Sequence, residues 1–169
     1  MRLRHILATA SILGAVCLGS AAYANNYSTK DFVEKAAVAG KFEIESSQLA
    51  LTKAHDSDVK DFAQKMIDDH TDVDKKLHDT VDSNHIDVKI PDSLDSKHEK
   101  LLEKLKKASD DNFDSEYTDI QVKAHKEAVS LFSGYAKHGD NDALKTLAKD
   151  TLPTLKEHKK MADDLKSNQ

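Results

Sequence analysis

The chain has 169 residues, a single cysteine, no tryptophan and a formal net charge of −5. Nucleic-acid binding requires a basic surface, so this acidic balance argues against nucleic acid as a partner. Glycine and proline are scarce, with 5 and 2 residues, and this composition is typical of an all-helical protein.

The first 24 residues have the pattern of a cleavable export signal. Basic residues precede an apolar run, and Ala22 and Ala24 are the small residues at positions −3 and −1 of a cleavage point. The run is too short for a stable membrane span. Cleavage would remove Cys17, so the mature domain, residues 25–169, would contain no thiol or disulfide. We therefore predict one exported periplasmic domain without membrane insertion.

Apolar residues at three-four spacing predict a first pair of long helices. Helix one is predicted over about Thr29–Ala54, and helix two runs from a cap at Asp56 or Ser57 to about Asn84. Because so few residues separate the two, they are expected to form an antiparallel hairpin. The following segment, which contains Pro91, is predicted to be a crossing loop.

A short helix and a second hairpin are predicted in the remaining chain. The short helix covers about Asp95–Ala108, helix four about Phe113–Lys137 and helix five about Asn141–Ser167. Pro153 is expected to kink helix five or to break it into two pieces. Two hairpins joined by one long connection predict an all-α, ferritin-like antiparallel four-helix bundle with a short extra helix in the crossover.

Four ionisable residues stand where this bundle expects apolar ones. Glu43, His70, His125 and His158 each lie on the apolar stripe of a different long helix. A buried charge costs free energy unless it is paired, hydrogen-bonded or bound to a metal ion. The coincidence predicts a polar site inside the bundle.

Counting residues from each turn estimates the depth of these four side chains. Glu43 lies about 13 residues before the first turn and His70 about 14 residues after it, so they should face each other. His125 lies about 14 residues before the second turn, whereas His158 lies about 19 residues after it, an offset of roughly 7 Å. A Glu43–His70–His125 cluster is therefore expected, with His158 as a fourth ligand or a residue that positions one.

Imidazole and carboxylate groups suit iron, zinc, copper or nickel, so a transition metal is the expected ligand. The di-iron pattern of ferritin-like proteins requires Glu-x-x-His motifs, and no Glu stands three residues before any of the three histidines. Asp69 and Glu157 adjoin histidines but should point about 100° away on a helix. The alternative is a metal-free Glu–His hydrogen-bond network that fixes the register of the helices.

The remaining histidines are predicted to be turn or surface residues: His55, His78, His85, His98 and His138. Tyr117 and Tyr135 are predicted core aromatics with a solvated edge. The sequence contains no Ser-His-Asp or Cys-His arrangement, no Gly-rich phosphate loop and no HExxH motif. We therefore assign no catalytic residue, and an enzymatic role is not the expected one.

Several segments, in their order along the chain, resemble the bacterial exported family called "domain of unknown function 4142". They are Gly40–Ile44 with Leu49-Ala50, Val59–Ala63 with Met66 and Asp69-His70, Phe113-Asp114 with Tyr117, Gln121-Val122 with His125, and Thr151–Leu155 with His158. The resemblance covers about residues 30–165. It implies a ferritin-like bundle exported in a Gram-negative bacterium, with Glu43 and the three histidines at motif positions. It implies no activity, and the family's outer-membrane label leaves association with that membrane open.

Three functions are compatible with these observations. The first is an exported bundle that binds a transition metal through Glu43, His70, His125 and His158, for storage, sensing or stress protection. The second is a metal-free structural or interaction module of the cell envelope. The third is a metal-dependent redox enzyme, which the scarcity of carboxylates disfavours. The sequence does not identify protein partners.

Overall fold

The computed structural model describes residues 27–169, and this part of the chain contains five helices and no strand. The helices are α1 (Thr29–Lys53), α2 (Ser57–Ser83), α3 (Ser96–Lys107), α4 (Asp110–His138) and α5 (Asp142–Ser167). The all-helical prediction is therefore confirmed, as is the loop around Pro91. The predicted export signal and its cleavage point lie outside the described residues.

Short polar side chains fix where most of the helices begin. Asp56 accepts a hydrogen bond from the amide of Asp58 at 2.7 Å, and Asp95 accepts one from the amide of His98 at 2.9 Å. These bonds satisfy amides that have no partner within the helix. Helix α4 begins at Asp110, earlier than the predicted Phe113, because Ser109 takes the N-cap position and acidic residues favour the first turn.

Contacts at both ends of the bundle define its wiring. Thr29, which begins α1, bonds the Tyr135 hydroxyl near the end of α4 at 2.9 Å. At the opposite end, the amides of His55 and Asp56 donate to the carboxylate of Asp114, near the start of α4. Helices α2 and α4 therefore begin at the same end, and the crossover returns the chain along the bundle. This is the single long connection expected of a ferritin-like four-helix bundle.

The apolar core is divided into two clusters along the bundle. The cluster at the α3 end contains Phe42, Phe62, Met66, Leu105, Phe113 and Tyr117, and the other contains Phe32, Leu77, Phe132, Tyr135, Leu144 and Leu155. Burying each large apolar side chain contributes roughly 1.5–3 kcal/mol. The three histidines of the stripes are buried as well, so the core also contains polar side chains.

Pro153 lies within one continuous helix, so the expected break into two pieces is absent. A proline removes one helical N–H donor and leaves the carbonyl four residues earlier without its partner. That carbonyl belongs to Lys149, and both residues are exposed, so water can satisfy the lost bond. In the described residues no helix has the length and apolar character that crossing a membrane would require.

Candidate metal centre

All four stripe residues are in the interior of the bundle. His125, His158, Glu43 and His70 have 0%, 1%, 4% and 4% of their surface exposed. Each comes from a different long helix. Each faces the interior because it occupies a position in the apolar stripe of its helix. The bundle therefore buries ionisable groups from all four long helices.

Three of the four residues form one group. His70, His125 and His158 each offer a ring nitrogen, and these atoms lie within 4.8 Å of one another. The ring centroids are 5.4–5.8 Å apart. Imidazole nitrogens bound at about 2.0 Å to one ion are at most about 4 Å apart. A small movement of the three rings towards one another would therefore allow all three to bind one ion. We call these residues the histidine triad.

Hydrogen bonds on the outer side orient two members of the triad. Nε2 of His158 lies 2.7 Å from Oδ2 of Asp69, and Nδ1 of His125 lies 2.9 Å from the carbonyl oxygen of Gln121. Since carboxylate and carbonyl oxygens only accept, these ring nitrogens carry the protons. The lone pairs are therefore on the opposite nitrogens, His158 Nδ1 and His125 Nε2.

The opposite nitrogens have no hydrogen-bond partner. His158 Nδ1, His125 Nε2 and both ring nitrogens of His70 are buried and unsatisfied among the described residues. Buried polar atoms without a partner are rare in folded proteins and call for an explanation. A hydrogen-bonded register network, the metal-free alternative, would need a hydrogen-bond partner for each of these atoms.

Burial keeps two members of the triad, His70 and His158, in the form that can bind a metal. It lowers the pKa of His70 well below its usual value, and the neighbouring His125 and His158 lower it further. Burial also lowers the pKa of His158, although the hydrogen bond to Asp69 opposes this effect. Both imidazoles therefore favour the neutral state, and neutral imidazole is the metal-binding form.

The structure places His158 within the group, contrary to the depth expected from counting residues. Helices α4 and α5 are staggered along their common axis, as the ion pair between Lys166 and Asp119 shows. Counting from the turn at residues 139–141 assumed that the two helices run level with each other. The stagger moves His158 to the level of His125, and their rings are 5.4 Å apart.

Glu43 is buried but is not a member of the triad group. Burial raises the pKa of Glu43, while the nearby His125 and a hydrogen bond from the Gln121 side chain act in the opposite direction. Its Oε2 atom has no hydrogen-bond partner. Glu43 therefore lies near His125 without belonging to the group of three ring nitrogens, and its place among the ligands stays a prediction.

Sequence reasoning missed Asp69, Ser47 and Gln121. Asp69 was expected to point away from the site, but its carboxylate reaches across to α5 and bonds His158. Ser47 bonds the hydroxyl of the buried Tyr117 at 2.8 Å, and this bond satisfies the polar atom of a core aromatic. Gln121 accepts the hydrogen bond from His125 through its main-chain carbonyl oxygen. The only sign of this in the sequence is that Gln121 lies one helical turn before His125.

The fold and the site together define an all-helical bundle with a buried group of three histidines. The chain belongs to the family described as "Domain of unknown function (DUF4142)", whose model matches residues 18–165. The resemblance noted in the sequence is thereby confirmed. No curated protein matches the chain in sequence.

Solved structures of a protein named CopM share this fold. The chain is similar to CopM in its Cu(II)-bound form, with 20% identity and a TM-score of 0.68 over 83% of this chain and 98% of that one. The silver-bound form gives 21% identity and a TM-score of 0.67, covering 83% of this chain and 96% of that one. The Cu(I)-bound form gives 21% and 0.67, covering 82% and 95%. At this level of identity the likeness establishes the fold.

Proposed function

We propose that this protein binds one copper ion at the histidine triad and serves to sequester it in the periplasm. The observation that carries the proposal is that His70, His125 and His158 each offer a ring nitrogen within 4.8 Å of the others. Each of the three rings also has at least one buried nitrogen without a hydrogen-bond partner among the described residues. His70, His125 and His158 would be the ligands. The proposal leaves Glu43 outside the ligand set, because its carboxylate does not belong to the same group.

The chemistry of the donor set supports copper over the other metals considered. Imidazole suits zinc, copper, iron and nickel, and copper(II) is bound most tightly of the divalent ions in this series. Iron oxidase sites of this fold add several carboxylates, and the triad group contains none. The CopM structures, which share the fold, are described as bound to Cu(I), Cu(II) and silver.

The surroundings of the triad favour holding an ion over turning over a substrate. The three histidines are at most 4% exposed, so a bound ion would be shielded from most solution partners. Asp69 would orient His158 and supply a negative charge close to the ion. Such carboxylate–histidine pairs raise the basicity of the ligand. A closed site of this kind is suited to storing a metal ion or to protecting the cell against excess metal.

Metal content of the untagged protein purified from the native periplasm tests the proposal. Plasma mass spectrometry should find one copper per chain, and His70→Ala and His125→Ala should each remove it. His78→Ala is a matched control, because this exposed histidine also lies on α2 and should leave the copper in place. Retained stoichiometric copper in both triad variants would refute the proposal, as would a wild-type protein that stays metal-free after addition of Cu(I) and Cu(II).

A further inference from the structure

A second feature of the interior lies between α1, α4 and the crossover. A cavity of about 820 Å³ separates these elements, within the usual size range of small-molecule sites. Folded proteins contain few voids larger than a water molecule, so a space of this size calls for an explanation. None of the three triad histidines lines it, so it is distinct from the candidate metal centre.

The walls of this cavity are mainly apolar. Their apolar side chains come from α1, from α4 and from the segment that carries α3: Val38, Phe42, Leu94, Leu101, Ile120 and Leu131. A buried water molecule is typically held by about three polar partners, and walls of this kind supply few. Water in the cavity is therefore weakly held, and an apolar group that displaces it gains affinity.

The acidic residues of the wall offer no free charge to a ligand. Three of the four have a partner among the described residues: Glu34 with Lys30, Glu127 with Lys97, and Asp95 with His98. The fourth, Glu43, is only 4% exposed, and its unpaired Oε2 atom is itself buried. A cationic ligand would therefore find no accessible carboxylate to pair with.

The basic residues of the wall lie at its rim. All four lysines of the lining are exposed: Lys35, Lys97, Lys104 and Lys123. Two of them are already paired, Lys97 with Glu127 and Lys104 with Glu116. An exposed ammonium group attracts an anion only weakly, because water and salt screen its charge. The space between the walls is therefore uncharged, which favours a neutral ligand.

We propose that this cavity binds a neutral lipophilic small molecule, held by the apolar walls and without an ion pair. The affinity would come from removing apolar surface of the ligand and of the walls from water. A charged ligand would lose hydration without gaining a partner of opposite charge. This site is independent of the proposed copper site, because no triad residue lines the cavity.

Three ligands with one alkyl chain and different head groups test the charge of the ligand. Decanol, decylamine and decanoate would be titrated by calorimetry, below their micelle concentrations, into protein purified from the periplasm and stripped of lipid and metal. Decanol should bind at one site per chain and about tenfold more tightly than either ion, because only the ions lose hydration of a charge. Equal or tighter binding of decylamine or decanoate would overturn the proposal.

A series of alkanols tests whether the alkyl chain enters the cavity. From hexanol to decanol, each added CH₂ group should tighten binding about fourfold, the ratio that corresponds to the burial of one such group. An affinity that does not change with chain length would place the chain in solvent and would refute the site.

Two alanines of α4 supply a variant and its matched control. Ala128 lines the cavity and Ala136, about two turns further along, does not, and both are half-buried. Ala128→Leu should occupy part of the cavity and weaken decanol binding, whereas Ala136→Leu should leave it unchanged. Circular dichroism checks that both variants are folded. An equal affinity for decanol in the two folded variants would contradict the assignment of the ligand to this cavity.

The absence of tryptophan from the chain allows a fluorescent reporter in the wall. Leu94→Trp places a single indole at the cavity, and Leu152→Trp, at a half-buried leucine outside the lining, is the control. Because bromine quenches indole fluorescence on contact, 10-bromodecanol should quench the first protein saturably. It should quench the second only in proportion to its concentration. Equal quenching of both would place the ligand elsewhere and would refute the site.

Two of the variants distinguish this proposal from the proposed metal function. His70→Ala should abolish copper binding and leave decanol binding intact, since His70 does not line the cavity. Ala128→Leu should weaken decanol binding and leave copper binding intact. Each site can therefore fail its test without the other.

Discussion

The Nε2 atom of His158 lies 2.7 Å from Oδ2 of Asp69, and this bond links α5 to α2 at the edge of the histidine triad. Asp69 is also paired with Lys65 at 3.0 Å. Burial alone would raise the pKa of Asp69, but the hydrogen bonds from His158 and Lys65 outweigh it and lower the pKa. The carboxylate is therefore charged at neutral pH and holds the His158 ring with its proton on Nε2 and its lone pair on Nδ1.

Replacing Asp69 should weaken copper binding without changing its stoichiometry. Asp69→Asn keeps an oxygen that can accept the imidazole N–H but removes the charge, and Asp69→Ala removes both. We expect affinity to fall in the order wild type, Asn and Ala, by about 10- to 100-fold for Ala, the usual range for the loss of such a partner. Competition against a chromogenic copper chelator measures the affinities.

Asp68→Asn is the control for this series. Asp68 is exposed on the same helix and accepts a hydrogen bond from the Gln64 side chain, four residues earlier. It is an aspartate like Asp69, and within residues 27–169 it makes no hydrogen bond to the triad. If Asp68→Asn weakened binding as much as Asp69→Asn, general surface charge rather than orientation of His158 would be the cause.

The helices and their pairing could be predicted from the sequence because they depend on local patterns. The three-four spacing gave α1, α2, α3 and α5 to within about a residue at each end, since short polar caps stand beside each apolar stripe. The start of α4 was placed late because Ser109, Asp110 and Asp111 look like a loop, although acidic residues also favour a first helical turn.

The level of His158 and the role of Asp69 could not be predicted in this way, since both depend on tertiary packing. The stagger of α4 and α5, marked by the Lys166–Asp119 pair, is set by contacts that residue counting ignores. Asp69 reaches His158 because α2 packs against both α1 and α5, so its buried face is wider than one stripe. Asp69, which lies about 100° from His70 around the helix, therefore still faces the neighbouring helix α5.

Replacing His70 with leucine should stabilise the metal-free protein while abolishing copper binding. Both ring nitrogens of His70 are buried without partners, and an apolar side chain of similar size removes that penalty. We expect His70→Leu to raise the free energy of unfolding by about 1–3 kcal/mol, the cost of an unsatisfied buried polar group. Urea denaturation in the presence of a chelator measures the change.

Two comparisons interpret that result. His125→Leu should gain less, because Nδ1 of His125 already has a partner in the Gln121 carbonyl. His78→Leu, at an exposed position on α2, should stay within about 0.5 kcal/mol of wild type. A His70→Leu protein less stable than wild type would mean that His70 contributes a packing or polar interaction that leucine cannot replace.

The stability of the metal-free protein should decline in mild acid through His70. Burial holds the pKa of His70 well below the usual 6.5, whereas the unfolded chain titrates near that value. Between these two values the unfolded state binds more protons, so unfolding becomes more favourable as the pH falls from about 6.5. The same urea experiment across this range should show a smaller decline in His70→Leu. Parallel pH profiles for the two proteins would contradict the assignment.

Glu43→Gln should stabilise the protein in a pH-dependent way of the opposite sign. Burial raises the pKa of Glu43 above its usual 4.5, so the folded state retains a proton that the unfolded state releases as the pH rises. Wild-type stability therefore decreases as the pH rises from about 4.5 towards the raised pKa of the folded state. Glutamine cannot ionise, so its advantage should grow as the pH rises from 4.5 to the raised pKa of the folded state and should disappear well below pH 4.5, where the glutamate is neutral in both states.

Glu45→Gln is the control for this prediction, because Glu45 lies on the same helix and its carboxylate pairs with Lys41 at 3.3 Å. An equal pH-dependent gain in Glu45→Gln would mean that loss of any negative charge on α1, and not the burial of Glu43, causes the effect. A constant difference between Glu43→Gln and wild type at all pH values would show that the carboxylate does not ionise on unfolding, and that the effect of the substitution comes from packing.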